Sequence, residues 1–149
     1  MTISNFISKA WRKRKLPVMN GLAKSDGSFY AIRVEDYRPV AMDYQSRIFD
    51  INRENHFEWR GCFCDLPSST HMDVTYHYGK ENHGSDSFIL AINSNHEVEW
   101  LFFDSCAELF EKLWIENDEV HVTNNLGIEW VFPIEQPENL YSTQHHAHE

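Results

Sequence analysis

Nine histidines and three cysteines are the residues best suited to chemistry in this 149-residue chain. Imidazole and thiolate carry protons and bind transition metals, so their spacing decides whether a site can form. His71, Asp73 and His77 alternate with Met72, Val74, Tyr76 and Tyr78, and the period of two predicts a strand with the polar set on one face. Six residues of strand separate His71 from His77 by roughly 20 Å, too far to share one ion. His71 with Asp73, or His77 with a folded-back His83, supplies half of the three or four ligands that zinc needs. Polar side chains on a wet sheet face explain the run more simply, and no metal or other cofactor is expected.

The thiols add little. Cys62 and Cys64 flank Phe63 without a second pair at zinc-finger spacing, and Cys106 reads as a small core residue. His145, His146 and His148 sit in the terminal stretch and are assigned no role. No glycine-rich phosphate cradle and no nucleophile elbow occurs. The alternative reading is a small enzyme or a ligand- or metal-binding domain. Its pocket would use the face bearing His71, Asp73 and His77, or Cys62 and Cys64, under the polar loop 79–86.

Carboxylates carry the stronger signal. The net charge is −10, and it is unevenly distributed. Residues 1–74 hold 11 basic and 9 acidic side chains, a net of +2; residues 75–149 hold 2 and 14, a net of −12. Such a field repels nucleic acid and steers a basic partner. Glu97 and Glu99 at a hairpin, with Glu111, Glu116, Asp118 and Glu119 along a helix end and the following turn, form the expected partner-binding set. Tyr30, Tyr37, Tyr44 and Tyr141 lie in or near irregular stretches, where tyrosine can anchor an interface.

The elements that would position these groups follow from periodicity. Phe6, Ile7, Ala10 and Trp11 share a helical face within 4–14, and Leu16-Pro17 stops that helix. Asp26-Gly27 is a turn before a strand over 28–34, and 35–46 reads as irregular. A hairpin is expected from 47–52 and 57–63, across 53–56. The segments 87–93 and 98–103 form the clearest hairpin, apolar at nearly every position and so buried on both faces. Ser105 and Glu108 make a capping box, and Cys106, Leu109, Phe110, Leu113 and Trp114 an apolar stripe, so 105–117 is predicted to be an amphipathic helix. A last hairpin joins 120–123 to 128–132. Trp59, Trp100, Trp114 and Trp130 all fall on expected inward faces.

The predicted class is α+β: a mainly antiparallel sheet of about six to eight strands, with the N-terminal helix and the helix 105–117 packed on it. One domain spans 1–149, with 1–16 and the tail 136–149 at its periphery. No membrane span is expected, since no run approaches about 18 apolar residues. The N-terminal charges follow the apolar residues, the reverse of a secretory signal, and the cysteine count is odd, so a cytoplasmic location is expected. In size, charge and expected architecture the chain resembles the small acidic immunity proteins that bacteria make against secreted toxins. The likeness carries no motif and transfers no residues. It implies an inhibitor that neutralises a basic toxin or enzyme by direct contact, with neither nucleic-acid binding nor catalysis of its own.

Overall fold

The computed structural model describes residues 3–47, 59–63, 68–81, 87–105 and 109–143. In chain order these form α1 (Ile3–Trp11), β1 (Lys15–Pro17), β2 (Gly21–Lys24), β3 (Ser28–Glu35) and β4 (Arg38–Arg47). There follow β5 (Trp59–Phe63), β6 (Ser69–His71), β7 (Val74–Glu81), β8 (Ser87–Asn93) and β9 (Val98–Asp104). The last strands are β10 (Phe110–Glu116), β11 (Glu119–Asn124), β12 (Glu129–Pro133) and β13 (Tyr141–Thr143), with one 3-10 turn at Pro137–Asn139.

Strands β8 and β9 set the architecture, because alternate side chains of each enter different cores. Phe88 and Leu90, with Leu101 and Phe103, join Ile7, Trp11, Leu16 and Ala23 on one face. Ile89 and Ala91, with Trp100 and Phe102, join Phe110, Val120, Val122, Trp130 and Phe132 on the other. A strand in a middle layer is apolar at every position for this reason. The larger sheet therefore has the smaller sheet on one face and Ile7 and Trp11 of α1 on the other.

All ladders are antiparallel. The larger sheet runs β7-β8-β9-β2-β3-β4, and the smaller runs β10-β11-β12-β13. The outer edge of β7 is divided. Its first half pairs with β6, and its last residues pair with β5 through Cys62↔Glu81 and Phe63↔Lys80, which brings in the β1–β5 pair. Between the sheets, aromatic rings meet edge to face or tilted, with Phe102 5.1 Å from Phe132 and 5.7 Å from Trp130. Each such contact contributes roughly 0.5–1.5 kcal/mol beyond the area buried. The backbone is also close-fitted: a Cβ at Gly21 would sit 2.2 Å from the Tyr30 carbonyl oxygen, so glycine alone fits there.

The described chain is 64% strand and 8% helical, which overturns the α+β class and the count of six to eight strands. Within the predicted helix 105–117, Phe110–Glu116 is strand β10. Leu113 and Ile115 face the core between the sheets, while Trp114 lies on the opposite face against His121. Apolar residues on both faces of a half-covered strand imitate a helical stripe. The Ser105 backbone N–H and hydroxyl donate to the Asn20 side chain.

Two segments expected to be irregular are ordered. Residues 38–47 form β4, which closes on β3 through a left-handed turn at Asp36 and Tyr37, with φ of 52° and 63°. Residues 137–143 hold the 3-10 turn and β13, which pairs with β12. Two register shifts interrupt the β3–β4 ladder, and Pro39 sits near its start. The expected hairpin across 53–56 falls largely outside the described residues; within them, β5 pairs with β1 and β7. Among the described residues, no helix is long and apolar enough to cross a membrane.

Candidate functional site

The run from His71 to Tyr78 is not one strand. Met72 and Asp73 adopt φ of 49° and 65°, making a two-residue turn between β6 and β7. His71 pairs with Val74, whose side chain packs toward the core between the sheets. His77 lies on the other face, its ring 6.3 Å from that of Trp11. The turn thus sends His71 and His77 to opposite faces of the sheet, and Asp73 to an exposed loop tip. Among the described residues, no three His, Cys, Asp or Glu side chains are placed to hold a metal ion. The side chains of Cys62, Cys64 and Cys106 lie outside the described set.

That same turn marks the end of the molecule where the acidic residues gather. Val74 pairs with Asn93, so the β6–β7 turn neighbours the β8–β9 turn and its Glu97. Asn93 Nδ2 donates to Glu99 at 2.8 Å. The His71 Nε2 lies 3.2 Å from Asp118 Oδ1, joining this end of the larger sheet to the β10–β11 turn of the smaller. Glu116 and Glu119 face each other across that hairpin. Lys24 and Glu138, ion-paired at 3.0 Å, close the same end. Glu97, Glu99, Glu116, Asp118 and Glu119 therefore share one end of the molecule, although they come from turns and strands rather than from a helix, and Glu116 and Glu119 lie on the outer face of the smaller sheet. Glu111 does not join them: five residues back along β10, it lies about 17 Å away, near the opposite end.

An apolar group stands next to His71, the partner of Asp118. Met72 is 81% exposed at the tip of its left-handed turn. Left-handed backbone is uncommon for a residue of this shape and costs of order 1 kcal/mol.

On the outer face of the smaller sheet, a buried polar cluster continues from Glu119. Val120 and Val122 point into the core, so His121 between them points outward, yet it is buried. Trp114 stacks on its ring at 5.2 Å with planes 13° apart, and Lys112 Nζ lies 5.1 Å from the Trp114 ring. His121 Nδ1 is hydrogen-bonded to the Glu129 carboxylate, which also accepts from the Thr143 hydroxyl at 3.2 Å. Its Nε2 has no hydrogen-bond partner among the described residues and lies 3.7 Å from Glu119 Oε1. The Tyr141 hydroxyl donates to Glu119 Oε2 at 2.7 Å. That bond, then burial and the charges of Glu119 and Glu129, push the Tyr141 phenol up to about 12. Tyr76 is likewise pushed up to about 12, by burial and then by Glu99.

Sequence reasoning gave His121 no role, although the alternation Val120-His-Val122 carries the signal of an imidazole facing away from a core. Of the expected tyrosine anchors, Tyr37, Tyr44 and Tyr141 are exposed, whereas Tyr30 packs edge to face on Tyr44 at 5.5 Å. The Tyr37 carbonyl accepts from Trp130 Nε1 at 3.1 Å, so the β3–β4 turn helps hold the two sheets together. Trp100 and Trp130 are buried, Trp114 is half-buried, and the Trp59 side chain is not among those described. No family model, curated protein or solved structure matches this chain, so its function is argued from this geometry alone.

Proposed function

We propose that this chain is a small acidic binding protein of the cytoplasm, an inhibitor or immunity protein that neutralises a basic toxin or enzyme by direct contact. The observation that carries the reading is that Glu97, Glu99, Glu116, Asp118 and Glu119, from both sheets, share one end of the molecule with the exposed Met72, whose neighbour His71 meets Asp118. An exposed apolar side chain at an acidic end of a molecule has the form of an interface anchor: the anchor supplies affinity, and the charges supply encounter rate and specificity. Glu119 and Tyr141, joined by a hydrogen bond, extend the surface along the edge of the smaller sheet.

The test is co-purification from the source cells at low and high salt, using the wild-type chain and the triple variant Glu116→Lys, Asp118→Lys, Glu119→Lys. The expected result is one stoichiometric basic protein, weakened by salt and lost from the variant. Its association with the purified wild-type chain should be at least about tenfold faster at low salt than with the variant. Equal association rates for the two chains would overturn the reading.

A further inference from the structure

The basic residues of this acidic chain are not scattered. Arg12 and Arg14 follow α1 and line a cleft of about 570 Å³ between that helix and the outer face of the larger sheet. Thr75, His77, Ser94 and His96 line it too, and no carboxylate among the described residues does. The volume is that of an ordinary small-molecule site. It opens on the other side of the larger sheet from the β10–β11 turn and adjoins the acidic end at the β8–β9 turn, where Ser94 and His96 flank Glu97.

Arg14 is held ready. Its Nη1 donates to the Trp11 carbonyl at 3.0 Å, and its guanidinium carbon lies 4.8 Å from the Trp11 ring. Trp11 is itself fixed, buried edge to face on Phe88 at 5.6 Å. A guanidinium fixed this way loses little further freedom on gripping an oxyanion, and its remaining donors match two oxygens of a phosphate. Neither Arg12 nor Arg14 meets a carboxylate among the described residues. Cations after a helix also complement its dipole, but that dipole amounts to about half a charge, and the Arg14 bond to Trp11 already answers it. It does not account for two imidazoles in a cleft that no described carboxylate lines.

We propose that this cleft binds a small phosphate-bearing anion, with Arg12 and Arg14 supplying its countercharge. A phosphate monoester carries a charge close to −2 near neutral pH, which two guanidiniums balance. The hydroxyls of Thr75 and Ser94 supply further donors at the walls. His77 stands mainly neutral at that pH, because burial and then the charge of Arg14 push its titration down.

The test follows the ring signals of the histidines by NMR while inorganic phosphate, and separately glycerol phosphate, is added at constant ionic strength. Saturable shifts of His77 and His96, with His121 unmoved, are expected. Arg12→Gln should weaken binding by about tenfold, the loss of one charge-assisted bond, and its exposed position keeps the fold intact. Arg14→Gln should do at least as much. Equal affinity for both probes identifies the free anion as the ligand, and tighter glycerol phosphate identifies an organic ester; either supports the site. Shifts that do not saturate by about 50 mM, or that persist unchanged in Arg12→Gln, would overturn it.

Discussion

The acidic end and the basic cleft hold their charges in different ways. At the acidic end the carboxylates are tied to protein donors: Glu99 to Asn93, Glu119 to Tyr141, Asp118 to His71, Glu138 to Lys24. In the cleft, Arg14 is oriented by a carbonyl and a ring, neither of which cancels its charge, and Arg12 is exposed. The difference separates two uses of charge. A carboxylate bound by its own fold contributes to stability and retains only part of its pull on a visitor. A guanidinium fixed but not neutralised contributes little to stability and keeps its charge for a ligand.

Substitutions graded from the tied groups to the free ones sharpen that contrast. The largest effect belongs to His121→Ala, which takes the imidazole partner from the buried Glu129 carboxylate and removes the ring beneath Trp114. A loss of about 3 kcal/mol in urea unfolding is expected. A loss well below this would show that the cluster is no more structural than the cleft. Next comes Tyr141→Phe, at about 1 kcal/mol near neutral pH, since its bond to Glu119 is partly exposed. The pH dependence has a definite sign. The Tyr141 phenol is raised from 10.0 to about 12 in the fold, so its contribution is complete below pH 10 and disappears as pH rises toward 12. Tyr76 titrates over the same window, so the variant should keep part of the alkaline loss, and a curve identical to wild type would mean the Tyr141 bond contributes nothing.

Smaller effects follow. His71→Ala breaks an exposed pair with Asp118 and should cost less than about 1 kcal/mol, measured at low salt. A larger loss would make that pair a clamp between the sheets rather than a surface contact. Arg12→Gln should change stability by less than about 0.5 kcal/mol while weakening phosphate binding. A marked destabilisation would tie Arg12 to the fold and erase the distinction between the two regions.

Local periodicity explains what could be read from the chain and what could not. The β8–β9 and β11–β12 hairpins were legible because each strand alternates cleanly or is apolar throughout, and short polar turns bound them. Helix α1 was legible from Phe6, Ile7, Ala10 and Trp11. Strand β10 was not, since Trp114 serves a polar cluster on the outer face, and only the register with His121 reveals it. Strand β4 carried a usable signal in Val40, Met42 and Tyr44, obscured by Pro39 and by Tyr37 in a left-handed turn that usually takes glycine or asparagine. The candidate site was half legible. The acids were identified individually, but their meeting depends on which ends of two sheets coincide, and that is not local information. The Met72–Asp73 turn inside an alternating run separated the histidines that seemed to share a face.

Strand β4 lies at the open border of the larger sheet, ten residues long, with Val40 and Tyr44 facing solvent. A straight border of that length would recruit identical chains into a growing fibre. Pro39 removes one amide donor, the two register shifts bend the ribbon, and Asp43 puts a charge in the middle. The interruptions that made β4 hard to read also make it a poor template for edge-to-edge pairing with a second copy.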